Sequence, residues 1–369
     1  MKKEIIVLSL LVMMVSCGEQ NSTIETSKND YNIKLNQINE ASIHTDLQND
    51  FLLVGAEGLS SLGINGSTEN SRPNAITFSW EYELPQDDNL FLLKISENED
   101  LSDCWEYEIN DNHYDVYNLK VGTKYYWNVS TLQNNYSSEI SSFMTSLDNP
   151  RNLYIDGITN VRDIGGWMID EHTRVRQGLA YRCGRLNKSS SDTLEVEITE
   201  EGISQMNDYL GIKSEIDLRL VNNNEVGKYT QSALGEEINY YQCPMGYNGN
   251  YLENNKLMVK EVFSLLSDKN NYPLMYHCNI GTDRTGLITY MLNGLLGVDQ
   301  EDLFIDYEFS NLGKIDGTRN RNSLISNYVY TLNLSSGNTL SEKIANYLLN
   351  IGINQIQIDT IIDLFTEKI

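Results

Sequence analysis

The chain carries, from position 277 to position 286, the run His277-Cys278-Asn279-Ile280-Gly281-Thr282-Asp283-Arg284-Thr285-Gly286. A short apolar stretch, residues 272–276, precedes this run and is typical of a buried strand. Residues 287–296 follow it with apolar residues at helical spacing, which predicts a helix of about three turns. A strand, a tight loop and a helix in this order direct backbone amides and the positive end of the helix dipole at one point. The run therefore predicts a binding site for an anion.

Two side chains in the run predict chemistry on that anion. Cys278 lies where the helix dipole and the loop amides stabilise a thiolate. Arg284 follows six positions later, and its planar guanidinium group binds two oxygens of a phosphoryl group. Thr285 offers a hydroxyl to the sulfur, and Gly281 permits the backbone turn that brings the amides inward. The pattern predicts a two-step transfer, in which Cys278 attacks phosphorus and water then hydrolyses the thiophosphate ester.

These residues resemble the His-Cys-x5-Arg-Ser/Thr signature of the Cys-x5-Arg protein tyrosine phosphatases. The loop is most similar to that of the atypical bacterial phosphatases, which act on phosphotyrosine, phosphoserine or phosphothreonine and on phosphoinositides. Further segments in the order of that subgroup are 160–166, 181–186, 216–219 followed by Glu225, and 306–311. The resemblance covers residues 151–369 and implies an α/β phosphatase domain, with a central mixed sheet flanked by helices.

The resemblance also implies roles for the loop residues. Cys278 is the nucleophile, Arg284 binds the phosphoryl group, and His277 orients the loop. The remaining phosphate-binding positions are Asn279, Ile280, Gly281, Thr282, Thr285 and Gly286. Thr282 stands where the subgroup carries a lysine associated with multiply phosphorylated inositol lipids, so this departure argues against a preference for such lipids.

The leaving alcohol needs a proton donor, and the chain contains no Trp-Pro-Asp sequence to supply one. The resemblance makes Asp283 the expected general acid, although a carboxylate there also serves a helix N terminus without any catalytic role. Asp163 and Asp217 are alternative acids. Asp163 equally fits a structural turn that is held by ion pairs.

Charge is unevenly distributed along the chain. Overall, 27 basic residues face 52 acidic ones, for a net charge of −25, which disfavours nucleic acid as a partner. Locally, residues 162–188 hold six basic and three acidic residues, an excess that either attracts phosphorylated substrates or forms a solvated surface. Arg182 is the preferred substrate-side candidate, with Arg162 in support. A second small basic cluster consists of Lys314, Arg319 and Arg321.

The first 17 residues resemble a bacterial lipoprotein signal. Two lysines precede the apolar stretch 5–15, which is shorter than the about 20 residues of a membrane-spanning helix. A small-residue site ends at Cys17, so we expect acylation of that thiol and anchoring to a membrane outside the cytoplasm. An ordinary secretory signal is the alternative. Residues 18–49 are polar and predict a flexible tether.

A second domain is predicted between tether and phosphatase, at residues 50–148, with the catalytic domain at 149–369. Stretches 75–80, 90–95 and 124–129 have the length and composition of strands. Residues 118–129 resemble the late strands of fibronectin type III domains, which implies a small all-β sandwich. Such modules usually act as spacers or bind proteins; carbohydrate contact is the alternative.

Four cysteines remain besides Cys17: Cys104, Cys183, Cys243 and Cys278. Free buried thiols are the simplest interpretation, since Cys278 must be reduced to act as a nucleophile. A reversible bridge between Cys183 and Cys278 is a further hypothesis. The four histidines are scattered, so the sequence predicts no metal site and no cofactor.

Taken together, these patterns predict an exported, lipid-anchored phosphatase acting on phosphate monoesters, with phosphotyrosine-type protein substrates favoured. Phosphoinositides or inositol phosphates are alternative substrates. A non-catalytic protein that binds phosphorylated ligands is the competing functional class, but an intact Cys278 and Arg284 argue against it.

Overall fold

The computed structural model describes residues 32–39, 41–83, 90–133, 136–187, 196–221, 229–247 and 249–369. The predicted signal with Cys17, residues 18–31 of the predicted tether, Lys188 and Glu225 lie outside these residues. Within them, every helix is too short or too polar to span a membrane.

The amino-terminal part folds into two antiparallel sheets around a shared core. Its strands are β1 (Asn32–Leu35), β2 (Ile76–Glu83), β3 (Phe91–Ser96), β4 (Trp105–Ile109), β5 (His113–Val116), β6 (Lys124–Thr131) and β7 (Ser141–Met144). One sheet has the order β1-β2-β5 and the other the order β4-β3-β6-β7. Every second residue of β6 is buried, and Trp127 from this strand meets Phe78 of β2 edge-on, with ring centroids 5.0 Å apart. The three predicted strands correspond to β2, β3 and β6.

A buried tyrosine fixes the turn that leads into β6. The Tyr125 hydroxyl accepts a hydrogen bond from the Lys120 amide at 2.9 Å, and Leu119 is buried in the same core. Gly122 occupies the turn with a φ of 55°. A tyrosine corner of this kind is typical of immunoglobulin-like sandwiches, so this arrangement is consistent with the predicted fibronectin type III-like module.

The predicted flexible tether is wrong from residue 32 onward. Strand β1 pairs with β2 along its whole length, and Ile33 in β1 is buried. Helix α1 (Asp46–Val54) then begins at a capping box formed by Thr45 and Gln48. Two short local signals were overlooked because this region is polar in composition. They are the alternating pattern of strand β1, which has a period of two residues, and the start of helix α1.

Residues 44–72, which we call the docking segment, pack on the carboxyl-terminal domain. Phe51 contacts Phe309 edge-on at a centroid distance of 6.1 Å, in a small apolar cluster that includes Leu312. The Gly66 carbonyl accepts a hydrogen bond from the Ile315 amide at 2.9 Å. The predicted start of the sandwich at residue 50 is therefore wrong, because this segment leaves the sandwich after β1 and returns to it at β2.

The carboxyl-terminal domain contains a five-stranded mixed sheet and a smaller three-stranded sheet. Its strands are β8 (Arg162–Asp163), β9 (Met168–Asp170), β10 (Thr173–Val175), β11 (Ala180–Cys183), β12 (Ser214–Asp217), β13 (Asn239–Gln242), β14 (Leu274–His277) and β15 (Thr366–Lys368). The large sheet has the order β13-β12-β14-β11-β8 and the small one the order β15-β10-β9. In the large sheet, only β8 runs antiparallel to its neighbour. Strand β14 is therefore central.

Helices cover both faces of the large sheet. The α-helices that follow α1 are α2 (Glu200–Ser204), α3 (Tyr251–Leu266), α4 (Asp283–Leu296), α5 (Gln300–Glu308), α6 (Arg321–Leu324), α7 (Tyr330–Asn333), α8 (Leu340–Ile351) and α9 (Gln355–Phe365). Leu274 and Tyr276 of β14 face the core that α3, α4, α8 and α9 complete, whereas Met275 faces a second core with Met206 and Leu210. This architecture agrees with the predicted α/β domain, and the predicted carboxyl-terminal helices correspond to α8 and α9.

Arg151 joins the two domains. Its guanidinium group donates to the carbonyls of Asn118 and Leu119 in the sandwich, at 2.6 and 3.2 Å. The same group pairs with the buried carboxylate of Asp163, with an N–O distance of 2.5 Å. One side chain thus binds a turn of the sandwich and neutralises a charge inside the carboxyl-terminal domain.

Replacing Arg151 with methionine is expected to lower the free energy of unfolding by about 3–5 kcal/mol, because Asp163 would remain buried without its partner. Lys256→Met is the control, since Lys256 pairs with Glu253 at the surface and such pairs contribute about 1 kcal/mol or less. Urea unfolding of both variants at pH 7 checks the difference. Equal losses would show that the Arg151 pair contributes no more than a surface contact.

Candidate active site

The strand, loop and helix predicted around Cys278 are all present. Strand β14 ends at His277, and helix α4 begins at Asp283, four residues earlier than predicted. Residues 278–282 connect them and are called the Cys278 loop below. This loop lies at the carboxyl end of the central strand, where the parallel strands of an α/β sheet open a crevice.

Four donors behind the Cys278 loop bind four consecutive carbonyl groups. The pairs are His277 Nδ1 with the Cys278 carbonyl at 3.1 Å, the Arg185 amide with Asn279 at 3.1 Å, Asn160 Nδ2 with Ile280 at 3.2 Å, and Arg182 Nη2 with Gly281 at 2.8 Å. In the described part of the chain, the amides of residues 279–282 have no hydrogen-bond acceptor. With its carbonyls held from behind, the loop presents unpaired amides on its other side, as an anion-binding nest requires.

Gly281 is required at its position for two reasons. Its φ of 71° lies in the left-handed region, which side chains rarely adopt. A Cβ atom there would lie 2.4 Å from the backbone carbonyl carbon and oxygen of Cys183. The loop therefore contacts β11 with no space for a methyl group.

Cys278 is fully buried at the end of β14, and its surroundings favour the thiolate. Burial alone opposes ionisation of the thiol. The positive charge of Arg284, and after it the hydroxyl and amide of Thr285, outweigh burial and lower the pKa of Cys278 below its ordinary value. The structure thus brings together the predicted nucleophile and two of the residues predicted to activate it.

The Arg284 guanidinium group is held in a fixed orientation. Its Nη1 donates to the carbonyls of Leu218 and Met245, at 3.2 and 3.3 Å. The group also lies over the ring of Tyr247, 5.4 Å from the ring centroid. Because its side chain is anchored in this way, Arg284 is preorganised beside the sulfur for the predicted phosphoryl contact.

His277 takes part in a buried network that sequence reasoning only partly anticipated. Its Nε2 lies 2.8 Å from Glu215 Oε1, and Ser232 donates to the other carboxylate oxygen at 2.5 Å. Burial disfavours the charged ring, but Asp217 and Glu215 outweigh burial and raise the pKa of His277. A protonated His277 donates through both ring nitrogens, to Glu215 and to the Cys278 carbonyl, in accord with its predicted orienting role.

Asp283 lies at the first turn of α4, close enough to Cys278 for its negative charge to oppose ionisation of the thiol. Its carboxylate accepts from the Tyr307 hydroxyl at 3.0 Å and from Arg319 Nε at 3.2 Å. The side chain is about 30% exposed, so it is accessible from the crevice. Its predicted role as general acid is compatible with this position.

Arg162 and Arg182 do not face the crevice, so the predicted substrate-side position of Arg182 is wrong, whereas a supporting role is compatible with the structure. Both side chains are completely buried. Arg182 pairs with Asp306, and Arg162 donates to the Asp306 carbonyl at 2.7 Å and to Ser310 Oγ at 3.0 Å. Arg182 acts on the site from behind, through the Gly281 carbonyl.

The predicted alternative acids are also engaged elsewhere. Asp163 binds Arg151 and the amides of Gly165 and Gly178, so it is the structural turn residue that the sequence allowed. Asp217 is fully buried and binds Arg219 through both carboxylate oxygens. Both carboxylates are fully buried and therefore closed to solvent.

Among the described residues, the arginines of segment 162–188 do not form the predicted basic surface, because they are buried or paired with carboxylates. Arg162, Arg182 and Arg185 are buried, and Arg174 and Arg176 pair with Glu367. In the second basic cluster, Arg321 pairs with Glu301 and Glu308, and Arg319 with Asp283. Counting charges along a sequence cannot distinguish arginines that face solvent from those that neutralise buried carboxylates.

Three tyrosines, which we call the tyrosine wall, stand beside the Cys278 loop: Tyr247, Tyr251 and Tyr328. Tyr247 is 43% exposed above Arg284, and the Tyr251 and Tyr328 rings meet edge-on at 4.7 Å. Burial raises the pKa of the Tyr251 and Tyr328 hydroxyls, and the nearby charges of Asp283 and Cys278 add to the effect. One side of the crevice is therefore aromatic.

Sequence reasoning missed several residues that support the site. Asn160 belongs to a segment quoted for the family resemblance, but its contact with the loop was not foreseen; its φ of 59° is a conformation that asparagine tolerates well. Tyr307 likewise lies in a quoted segment, 306–311, but its contact with Asp283 was not foreseen. Glu215 and Ser232 were missed because a single polar residue has no distinguishing local pattern.

Glu215, Asp217 and His277 bring potential metal-ligand atoms within 4.8 Å of one another. These atoms already bond to each other or to Arg219, Ser232 and Tyr240. The guanidinium group of Arg219 thus lies beside Asp217, where a metal ion would bind. Glu215, Asp217 and His277 form a hydrogen-bond network and not an open coordination site.

All four described cysteines are free thiols. Cys183 on β11 pairs in register with His277, one residue before the nucleophile. Burial, followed by the charge of Glu215, raises the pKa of Cys183 well above its ordinary value. The hypothesis of a reversible Cys183–Cys278 bridge stays a prediction.

Comparison with known proteins identifies the carboxyl-terminal domain. Residues 153–351 match the sequence profile of the tyrosine phosphatase family, which is more than half of the 369-residue chain. The chain belongs to this family. The match confirms the predicted relationship to phosphatases with a catalytic cysteine and includes the whole Cys278 loop.

One curated relative is a protein of Cupriavidus necator that is provisionally named a tyrosine-protein phosphatase. It is 25% identical over 197 residues, which cover 45% of this chain and 65% of the relative. Two solved structures are also similar. One is the catalytic domain of the Saccharomyces cerevisiae PP-IP phosphatase Siw14 in complex with citrate, with 20% identity, coverage of 42% of this chain and 83% of that one, and a TM-score of 0.31. The other is the Siw14 catalytic core, with 17% identity, coverage of 46% and 83%, and a TM-score of 0.30.

Replacing Gly281 with alanine is expected to abolish binding of inorganic phosphate, because the new Cβ would collide with β11 and displace the loop amides. Gly211→Ala is the matched control. Gly211 also has a positive φ, of 65°, but its Cβ would have no neighbour within 4 Å. Calorimetric titration with phosphate checks both variants. Phosphate affinity in Gly281→Ala equal to that of the control would contradict the required contact.

Proposed function

We propose that this chain is a phosphatase that hydrolyses phosphate monoesters through a cysteinyl-phosphate intermediate on Cys278. The observation that carries the proposal is the buried thiol whose pKa is lowered by Arg284, next to a loop with unpaired amides. A thiolate, a fixed guanidinium group and inward amides are the three components that phosphoryl transfer to cysteine needs.

In the first step, the Cys278 sulfur donates an electron pair to phosphorus, and the bond between phosphorus and the ester oxygen breaks. The leaving oxygen takes a proton from Asp283. In the second step, water attacks phosphorus while the Asp283 carboxylate accepts its proton. The sulfur–phosphorus bond breaks, which restores the Cys278 thiolate and releases inorganic phosphate.

Arg319 lies beside the proposed general acid. Its Nε is 3.2 Å from the Asp283 carboxylate in the free protein. An incoming phosphoryl dianion therefore competes with Asp283 for the Arg319 guanidinium group.

The tyrosine wall supports phosphotyrosine-type substrates as the favoured class. Tyr247 and Tyr251 line one side of the crevice with aromatic surface, next to the phosphoryl-binding Arg284. Aromatic pairs contribute about 0.5–1.5 kcal/mol beyond their buried area. An aryl leaving group gains this contact, whereas the small side chain of phosphoserine does not reach it.

Inositol phosphates form a second candidate class, favoured by Arg319. This side chain is 26% exposed, so a second phosphate of a substrate has access to it. Thr282, in contrast, is fully buried and lies 3.3 Å from Asn160 Nδ2. The position where similar loops carry a lysine therefore offers no contact with a lipid headgroup.

The cellular setting of the proposed enzyme rests on the sequence. The lipoprotein-like signal supports export and acylation at Cys17, with the protein anchored in the cell envelope outside the cytoplasm. The strand order and the Tyr125 corner support a fibronectin type III-like sandwich, which would hold the catalytic domain away from the membrane and offer a surface for a protein partner.

Cys278→Ser is expected to reduce hydrolysis of p-nitrophenyl phosphate to background, because a serine hydroxyl is not ionised in this site. Cys104→Ser serves as the matched control, since Cys104 lies in the sandwich, and should retain the full rate. A panel of phosphotyrosine peptides, phosphoserine peptides and inositol phosphates then ranks kcat/KM. Wild-type hydrolysis no faster than that of Cys278→Ser would exclude catalysis and leave a phospho-ligand binding protein.

Asp283→Asn is expected to slow the cleavage of alkyl phosphates by about 100-fold or more, because an alkoxide leaving group needs a proton. Hydrolysis of p-nitrophenyl phosphate should fall much less, since its leaving group is stable as an anion. Asp363→Asn, at an exposed position of α9, should change neither rate. Equal losses on both substrates would assign the acid to another residue.

A further inference from the structure

A second cavity lies between the two domains, apart from the Cys278 loop. It has a volume of about 520 Å³, and no residue of the Cys278 loop or of the tyrosine wall lines it. Five tyrosines define what we call the interdomain cleft: Tyr107, Tyr114 and Tyr117 from the sandwich and Tyr154 and Tyr209 from the phosphatase domain. Clefts between domains with aromatic lining are common binding sites for small ligands.

The rings in this cleft are partly open to a ligand. Tyr114 and Tyr117 are 37% and 38% exposed, although large aromatic side chains usually bury most of their surface. Tyr107 stacks obliquely on Tyr114 at a centroid distance of 4.9 Å, and Tyr117 meets Tyr154 edge-on at 5.2 Å. These contacts hold the rings in place while leaving aromatic surface facing the cavity.

Carboxylates outnumber basic side chains in the cleft. Asp115 and Glu201 line it together with His113, whose Nδ1 lies 3.4 Å from Asp111, and no lysine or arginine does so among the described residues. The nearby side-chain amide donors are already engaged, since Asn118 Nδ2 donates to the Tyr154 carbonyl at 2.9 Å and Gln205 Nε2 to Glu201 at 3.4 Å. The cleft therefore offers carboxylates, hydroxyls and ring faces, which disfavours an anion.

One ring of the cleft already binds a cation within the protein. The Arg72 guanidinium carbon lies 4.5 Å from the centroid of Tyr154, and Arg72 also pairs with Asp156 at 3.8 Å. At the edge of the cleft, an aromatic face and a nearby carboxylate thus attract a guanidinium ion together.

We propose that the interdomain cleft binds an organic cation, an ammonium or guanidinium group carried on an apolar stem. The carboxylates of Asp115 and Glu201 supply the complementary charge, and the tyrosine faces contact both the cation and the stem. Because both domains line the cleft, the ligand links the sandwich to the phosphatase domain. The cation belongs either to a free amine or to a basic side chain of a partner protein.

The test compares cations with neutral ligands of the same shape on the full chain. Choline is paired with 3,3-dimethylbutan-1-ol, and Nα-acetyl-arginine amide with Nα-acetyl-citrulline amide, in which acetylation removes the charge of the α-amino group. Each cation is expected to bind about tenfold more tightly than its neutral counterpart, as cation–π contact combined with carboxylates implies. Trp105, whose ring lies 5.8 Å from Tyr209, provides a fluorescence signal, and calorimetry provides an independent one.

Variants assign the binding to the cleft. Glu201→Gln and Tyr117→Leu should each weaken cation binding at least about fivefold, in line with the loss of one charge or one ring face. Glu200→Gln and Tyr330→Leu are matched controls, because Glu200 adjoins Glu201 outside the lining and Tyr330 is exposed on α7. Thermal unfolding of all four variants verifies that they remain folded.

The outcomes distinguish a free amine from a protein side chain as the source of the cation, and some of them would refute the proposal. Tighter binding of choline would identify a free quaternary amine as the ligand class, and tighter binding of a peptide such as Gly-Gly-Arg-Gly-Gly would identify a protein side chain. Equal affinity for the neutral counterparts, preference for a neutral saccharide, or unchanged binding in Glu201→Gln and Tyr117→Leu would overturn the proposal. Cys278→Ser should bind the cation normally, so failure of the phosphatase proposal would not affect this result.

Discussion

The candidate active site depends on the four hydrogen bonds that hold the carbonyls of residues 278–281 from behind. A peptide plane carries its amide and carbonyl on opposite sides, so fixing the carbonyls outward fixes the amides inward. The donors come from three parts of the domain: Asn160 before β8, Arg182 and Arg185 in and just after β11, and His277 at the end of β14. Catalytic geometry in this protein is therefore a property of the whole domain core and not of the ten-residue run alone.

Two of these donors are charged, and the protein must compensate their charges in its interior. Asp306 neutralises Arg182, and Glu215 neutralises His277, so each donor keeps a defined position without leaving an isolated buried charge. The net charge of −25 is thus compatible with a positively polarised loop. Apart from Asp283, the acidic groups named above lie behind the loop, while Arg284 and the amides face the reacting atoms. The nearest groups set the field at the site.

The sequence predicted the structure that neighbouring residues form around Cys278. It missed the contacts that residues distant in the chain make with the Cys278 loop. The strand, loop and helix around Cys278 follow from neighbouring residues, and spacing alone places Arg284 beside the sulfur. Asn160 and Arg182 reach the loop across 120 and 99 positions, and no local pattern reports such contacts. Arginines were interpreted as surface charges because composition says nothing about burial. In the amino-terminal region, the capping box at Thr45 was readable, but polar composition outweighed it in the prediction.

The docking segment also constrains the order in which the protein completes its fold during synthesis. Strands β1 to β7 leave the ribosome within the first 144 residues, so the sandwich has all its parts early. Phe51 contacts Phe309, and the Gly66 carbonyl accepts from the amides of Ile315 and Asp316, all of which are synthesised much later. Domains generally fold as units during synthesis. The apolar side chains of the docking segment therefore stay exposed beside the folded sandwich until the last quarter of the chain is synthesised. The Phe51 ring is buried only then.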